Sequence, residues 1–348
     1  MLDAFIEHIR AAHDSNTPLI IQGGGSKDFY GNAHEGEVLS TRKLTGVVDY
    51  QPKELVLTAR AGTPLTEIEA LLAEHKQMLA YEPPHFGGQA TLGGSIAAGL
   101  SGPRRPYAGA ARDFVLGVRT IDGTGQPLRF GGQVIKNVAG YDVSRLMVGA
   151  LGTLGLLTEV SLKVLPKPAA ETTLQFELDE AAAILKMNQW AGQPLPLSAT
   201  SWHAGLLTVR LSGAASAVHA AQAKLGGEPL KEATAFWQRL RDHATPFFDK
   251  RPLWRLAVKS TSPPMKLGDA QWIEWGGAVR WLISDLPATT LREAAKTAGG
   301  HATLYRGNAP AEGVFAPLAP ALATLHHGLK QRFDPKGIFN RGRLYPEL

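Results

Sequence analysis

No cysteine occurs anywhere in the 348 residues. Disulfides, a thiol nucleophile and a cysteine-ligated iron–sulfur cluster are thereby excluded from this chain. If electrons are handled here, an organic cofactor must hold them and another molecule must take them onward. Long apolar runs are missing as well. The longest, around Val148 to Leu157, falls far short of the roughly 20 residues a membrane span needs. The amino terminus does not read as a secretion signal, because Asp3 and Glu7 interrupt it and Leu2, Phe5, Ile6 and Ile9 fall at helical spacing. The expected location is the cytoplasm, with membrane contact, peripheral on the inner face, only through partners. Runs of basic residues and basic stretches interleaved with aromatics are also lacking, so nucleic acid is not an expected partner. The formal charge of +5 fits a binder of anionic cofactors or acidic substrates better. What remains, 44% apolar and 19% charged residues, is the composition of a folded chain long enough for two domains.

The amphipathic start is followed by a short apolar strand, residues 18–22, that runs into three glycines. Short strands are expected near Val38-Leu39, at 46–48 and at 54–60. Thr63-Pro64 then predicts a helix start, Thr as N-cap and Pro at the first helical position, with Leu65, Ile68, Leu71 and Leu72 on the buried face. Residues 83–109 are dominated by glycine, proline and small side chains, too long a stretch for an idle connection. Strands are predicted at 114–121 and 158–165. Pro166-Lys167-Pro168 is the best boundary in the sequence. Beyond it, strand 172–178, helix 180–190, strand 206–211 and helix 214–225 give a β-α-β-α pattern, suited to helices on one face of an antiparallel sheet. A helix from Ala321 and a turn-rich tail close the chain. No internal repeat is visible.

A strand ending in consecutive glycines lets the main chain approach an anion closely, because glycine has no side chain and tolerates positive φ. In Gln22-Gly23-Gly24-Gly25-Ser26-Lys27, Ser26 and Lys27 would add a hydroxyl and a charge. A plain tight turn is the alternative. Neither common nucleotide fingerprint fits. A P-loop requires Ser or Thr after its lysine, and a dinucleotide motif requires glycine at the sixth position; Asp28 stands at both.

Three further segments narrow the choice. Residues 91–99 (TLGGSIAAG), 102–109 (GPRRPYAG) and 112–117 (RDFVLG) resemble the second signature of the FAD-binding superfamily that includes vanillyl-alcohol oxidase and p-cresol methylhydroxylase (PCMH). Residues 136–142 (KNVAGYD) with 149–155 (GALGTLG) resemble its third. Residues 330–345 (KQRFDPKGIFNRGRLY) resemble the carboxy-terminal segment that folds back over the flavin. The middle of the chain, including Trp202-His203, residues 207–213, Phe236-Trp237, residues 253–256, residues 274–281 and residues 300–304, is similar to the E subunits of bacterial glycolate oxidases (glycolate dehydrogenases). The resemblance implies an α+β fold. A PCMH-type FAD-binding domain in two subdomains would span residues 1–168, an α+β cap of antiparallel sheet and helices 169–328, and a returning segment 329–348.

The same resemblance implies that Gly23, Gly24, Gly25, Ser26 and Lys27 hold the FAD diphosphate. Thr91, Leu92, Gly93, Gly94, Ser95, Ala97 and Gly102 would lie along the flavin and ribityl chain, with Tyr107 and Asp113 in the same signature. Gly152, Thr153, Leu154, Gly155 and Val160 would approach the adenosine side, and Asn340 the isoalloxazine. Relatives that attach FAD covalently often carry His where Ser26 stands, which implies non-covalent binding here; His34 lies just downstream. The usual Asn-Pro-Gly ending reads Asn340-Arg341-Gly342.

Oxidising a 2-hydroxy acid needs a cation for its carboxylate and a base for its hydroxyl proton. The catalytic relatives supply a histidine cluster with the segment His-x-Gly-x-Gly-Asn-x-His, which has no counterpart here, so no metal is expected. Arg280 and Arg105 are the candidates for a carboxylate partner, with Arg104 beside the latter. For Arg280 the plain alternative is a cross-strand pair with Glu. The resemblance implies a second FAD subunit in glycolate oxidation to glyoxylate, beside a D-type catalytic flavoprotein and an F-type iron–sulfur subunit. A stand-alone FAD-linked oxidase or dehydrogenase of another alcohol or acid, and a structural partner with a degenerate flavin site, remain the other readings.

Overall fold

The computed structural model describes residues 2–132, 142–268 and 270–348. Helix α1 (Leu2–Ser15) buries Phe5, Ile9 and Ala12. Their partners are Leu19 of β1 (Leu19–Gln22), Leu39 of β2 (Glu37–Ser40), and Ile338 and Phe339 of the tail. Strands β1 and β2 are parallel, so both end at the glycine loop. The chain then forms β3 (Val47–Gln51), β4 (Val56–Arg60), β5 (Gln77–Met78), β6 (Val115–Ile121), β7 (Pro127–Gly131), β8 (Leu156–Lys163) and β9 (Leu165–Pro166). Five of these make an antiparallel sheet in the order β3-β4-β8-β6-β7, and β5 pairs with β9.

Helix α2 (Leu65–Glu74) packs on that sheet through Leu65, Ile68 and Leu72, all wholly buried, each contributing about 1.5–3 kcal/mol by leaving water. Its cap differs from the expectation by one residue. Pro64 is the N-cap with ψ 137°, and the Thr63 hydroxyl instead accepts from the Gly46 N–H at 3.0 Å. A residue before proline is pushed out of the helical region, which keeps Thr63 outside the helix. Strand β4 starts at Val56 rather than Glu54 because Leu55 turns with φ 57°. The glycine-rich stretch at 83–109 contains α3 (Leu92–Ala98) and α4 (Arg105–Ala108), and α5 (Ala111–Phe114) follows directly.

From Ala170 onward the chain builds an eight-stranded antiparallel sheet from β10 (Ala170–Glu177), β11 (Leu197–His203), β12 (Leu206–Gly213), β13 (Glu228–Pro229), β14 (Leu253–Ala257), β15 (Ala270–Glu274), β16 (Val279–Ile283) and β17 (His301–Arg306). Helices α6 (Glu180–Ala191) and α7 (Ala215–Leu225) lie between strands of the first half, α8 (Ala233–Arg241) and α9 (Pro246–Asp249) join the halves, and α10 (Ala288–Thr297) lies in the second. The β-α-β-α expectation missed β11. Including it, the first half runs β-α-β-β-α-β.

The strand order is β13-β10-β12-β11-β15-β16-β14-β17. Within β10 to β13 this places fourth beside first, third and second; within β14 to β17, read from the opposite edge, the arrangement is the same. The halves meet where β11 pairs antiparallel with β15, Trp202 opposite Ile273. The sequence hides this repeat because pairing needs only alternating burial in short strands, which many residues satisfy.

Helix α11 (Pro320–Phe333) leads the tail back to the first unit. Leu19 N–H donates to Ile338 O at 2.7 Å, and Asn340 N–H donates to Leu19 O at 2.9 Å. The Lys330 ammonium donates to Thr153 O, Asp334 Oδ2 and Phe339 O at 2.8–2.9 Å. The sheets are tied together elsewhere by Glu82, which accepts from Arg104 at 3.2 Å and from Arg210 at 2.8 Å. Among the described residues no helix is long and apolar enough to cross a membrane.

Candidate functional site

A cleft of about 780 Å³ opens where β1 runs into the glycine loop. Glycine is required there sterically. A Cβ on Gly24 would fall 1.5 Å from Gln89 O, and one on Gly23 would fall 2.4 Å from Thr91 Oγ1. Gly25 sits at φ +77°. Arg42, which the sequence did not single out, holds the loop by its carbonyls, donating to Gly23 O at 3.1 Å and Gly24 O at 2.8 Å. With the carbonyls engaged, the consecutive N–H groups of Gly24, Gly25, Ser26 and Lys27 have no acceptor among the described residues. Successive unpaired amides beside a cleft are the donor set that an anion uses.

The next wall is the start of α3, where Thr91 caps the helix and accepts from Gly94 N–H at 3.3 Å. The opposite wall is the turn at 149–155. Leu151 and Gly152 both have positive φ there, 51° and 74°, and Leu151 N–H donates to Ala97 O at 2.8 Å. A Cβ on Gly152 would lie 2.6 Å from Asn340 Nδ2. Asn340 joins three segments: its Oδ1 accepts from Ile21 N–H at 2.7 Å and its Nδ2 donates to Leu151 O at 2.6 Å.

The structure brings Gly23, Gly24, Gly25, Ser26, Lys27, Thr91, Gly93, Gly94, Ala97, Gly152, Leu154, Gly155 and Asn340 together around this cleft. The other expected residues lie elsewhere. Leu92 and Val160 are wholly buried in the apolar core beneath it. Ser95 is buried against the Tyr81 hydroxyl at 3.2 Å, and Thr153 donates to Ala150 O at 2.7 Å. Asp113 caps α5 by accepting from Ala110 N–H, and the Tyr107 hydroxyl bonds the Thr200 side chain. Gly102 lines a second cavity. Lys136 to Tyr141 of the third signature lie outside the described residues. Thr41, Met147 and Arg343 line the cleft without having been expected. Position gave a signal for Thr41, just past the strand parallel to β1.

Two cations border the loop. Lys27 is 8% exposed, reaches Ser26 Oγ at 3.3 Å and lies over the Phe86 ring. Burial pushes its ammonium down to about 8, partly offset by Asp242. Arg343 donates to Lys27 O, to Tyr30 O and, at 2.8 Å, to the His34 ring. His34 is thus engaged by the tail.

The second cavity, about 1080 Å³, lies at the junction with the eight-stranded sheet and takes Gly99 to Pro103 and Arg105 from one side and Arg255, Glu274, Trp275, Val279 and Trp281 from the other. Arg280 does not line it, which corrects the expectation of a carboxylate ligand. Strand alternation sends Val279 and Trp281 into the cavity and Arg280 away from it. Its wholly buried guanidinium donates to Gly277 O at 2.8 Å and Ser262 O at 2.7 Å, and pairs with Glu180 at 3.4 Å. Burial lowers its ionisation to about 10, partly offset by Glu180. The alternative reading, an Arg–Glu cross-strand pair, is not what holds it either, since Glu180 belongs to α6. Among the described residues no group of three or more His, Asp or Glu side chains is placed to hold a metal ion.

A family model described as an FAD binding domain matches residues 2–131. Glycolate oxidase subunit GlcD of Bacillus subtilis is 32% identical over 175 residues, 49% of this chain and 37% of that one. Among solved structures, an alkyldihydroxyacetonephosphate synthase superposes with a TM-score of 0.63 at 18% identity, covering 96% of this chain and 74% of that one, a likeness of fold. Glycolate oxidase subunit GlcE of Escherichia coli is 49% identical over 346 residues, 99% of this chain and 97% of its own length. The chain, with its FAD binding domain match, therefore belongs to the family of the glycolate oxidase subunit GlcE.

Proposed function

We propose that this chain is the FAD-holding E subunit of a glycolate oxidase complex, contributing to oxidation of glycolate to glyoxylate beside a D-type catalytic flavoprotein and an F-type iron–sulfur subunit. The observation that carries the reading is the run of unpaired amides from Gly24 to Lys27 at the mouth of a cleft whose walls are main chain. Those amides would hold the diphosphate. Thr91, Gly93, Gly94 and Ala97 would lie along one side of the cofactor, Gly152, Leu154 and Gly155 along the other, and Asn340 at the floor. Bound FAD supplies a two-electron acceptor for hydride. Binding is non-covalent in this reading: Ser26 offers only a hydroxyl, and the His34 ring is occupied by Arg343. Residues 1–168 and 329–348 then act as the flavin unit and 169–328 as the cap. With no cysteine in the chain, electrons leave through a partner. Residence in the cytoplasm, peripheral on the inner face of the membrane through the complex, belongs to the same reading.

Co-expression with the two partner classes and gentle purification through a tag on this chain tests it. Three chains are expected together, and the chain purified alone should show the flavin bands near 375 and 450 nm, about the usual positions. Recovery without partners would overturn the subunit assignment. So would rapid bleaching of the isolated chain's flavin by glycolate and a dye acceptor.

A further inference from the structure

The junction cavity contains a feature the flavin reading does not use. Trp275 of its wall and the two residues that follow, Gly276 and Gly277, have φ of 55°, 67° and 100°. For tryptophan this conformation is strained by about 1–3 kcal/mol and persists only where the surroundings enforce it. They do so here. Gly276 N–H donates to Thr200 Oγ1 at 2.9 Å, Asn188 Nδ2 donates to Gly276 O at 3.3 Å, and Arg280 Nε donates to Gly277 O at 2.8 Å. Arg280 is a positioning residue for this loop.

What the loop positions is the Trp275 indole, between two guanidiniums. Arg255, on β14, lies 4.9 Å from its ring and 5.7 Å from that of Trp281. Arg105, from α4 and exposed at the cavity mouth, lies 4.5 Å from the Trp275 ring. Neither guanidinium makes a side-chain hydrogen bond or a close ion pair among the described residues; Glu274 acts on Arg255, and Asp113 on Arg105, only at longer range. The contrast with their neighbours is plain, because Arg104, Arg210, Arg241 and Arg280 each meet an Asp or Glu. Arg105 is also repelled by Arg255. Two guanidiniums, each without a close ion pair among the described residues, converge on one indole. A planar fork matches a carboxylate, and the indole supplies a flat apolar platform beneath it.

We infer that the junction cavity is a binding site for a small carboxylate, gripped by Arg255 and by Arg105 at the mouth, on the platform of Trp275. The buried Glu274 carboxyl, held by Trp281 Nε1 at 2.7 Å, lines the same cavity and gives an acceptor for a hydroxyl next to the carboxylate, which favours a 2-hydroxy acid. That last choice rests on the glycolate reading; the carboxylate site rests on the arginines.

The test uses the full chain as purified, titrated with oxalate and with glycolate at low ionic strength, following tryptophan fluorescence, since Trp275 and Trp281 line the cavity. Saturable change is expected for both acids. Arg255→Gln should weaken oxalate about tenfold or more, as loss of a charge-assisted pair does, and Arg105→Gln about threefold. Arg255→Lys keeps the charge without the fork and should fall between, which also guards against a misfolded Gln variant. Absence of saturation in the wild type overturns the inference. So does an oxalate affinity unchanged in Arg255→Gln, including the case where that variant instead loses flavin. A chain that lacks flavin bands yet binds oxalate in this arginine-dependent way keeps the inference and defeats the flavin reading. A chain with flavin and no oxalate binding does the reverse.

Discussion

The glycine cleft and the junction cavity adjoin along the chain at Ala98 and Gly99, yet they are built from different materials. The cleft is mostly main chain: amides at Gly24 to Lys27, the backbone of Gly93 and Gly94, and the turn at Gly152. The cavity is side chain: Arg105, Arg255, Glu274, Trp275 and Trp281. A backbone site constrains sequence strongly, because each close approach excludes a Cβ and therefore requires glycine. A side-chain site constrains which groups meet in space and leaves their separation along the chain free. The cleft should thus fail when a methyl is added and tolerate loss of a side chain, whereas the cavity should respond to loss of a single functional group.

The largest effect expected is from Gly24→Ala. Its new Cβ would overlap Gln89 O, a backbone atom with no rotamer to change, so the loop must leave its place beside Thr91. FAD affinity should fall at least about a thousandfold, some 4 kcal/mol. The ratio of flavin to protein absorbance after desalting reads this directly, with far-UV circular dichroism kept near wild type. Retention of stoichiometric flavin would break the contrast at its strong end.

The same difference explains what the sequence made legible. Gly23 to Gly25 and residues 149–155 stand out because their conformations and close approaches exclude larger residues. Leu92, Ser95, Thr153 and Val160 were expected at the cleft because they belong to the same segments. The side-chain periodicity of α3 and β8 instead turns Leu92, Ser95 and Val160 into the core, and Thr153 bonds back to Ala150 O within its own turn. Arg42 and Arg343 escaped notice because an arginine used to hold carbonyls looks no different in sequence from a solvated one. Arg280 misled for the complementary reason. A tryptophan-flanked arginine fits both a ligand and an internal brace, and only strand phase decides between them. Strand β11 was missed although Ala199 to Trp202 are buried, since a strand buried on both faces shows no alternation. The repeat of strand order across β10 to β17 left no trace in residue identity at all.

On the cavity side, Glu274 supplies a pH-dependent test. Burial raises its carboxyl to about 7 from 4.5, partly offset by the Trp281 hydrogen bond and by Arg255. Between those two values the unfolded chain has released a proton that the folded protein still holds. Stability therefore falls as pH rises from 4.5 to about 7 and levels off above it, by up to about 3 kcal/mol from this group. Glu274→Gln should remove that slope, so that urea unfolding at pH 5 and pH 7.5 differs less in the variant than in the wild type. An equal difference in both would mean that Glu274 ionises freely and that the cavity is wetter than its walls suggest.

The smallest effect expected is at the cleft's one hydroxyl. Ser26 belongs to the loop, but the bond recorded for its Oγ is from Lys27 at 3.3 Å, while its amide is among the four left without an acceptor. If the diphosphate is held by main chain, Ser26→Ala deletes a neighbour of the site and leaves its donors in place. FAD affinity should then change by less than about threefold, below the usual worth of a single neutral hydrogen bond. A loss of tenfold or more would make the hydroxyl itself a ligand. The cleft would then resemble the junction cavity in depending on a named side chain, and the glycines would be needed for access more than for donation.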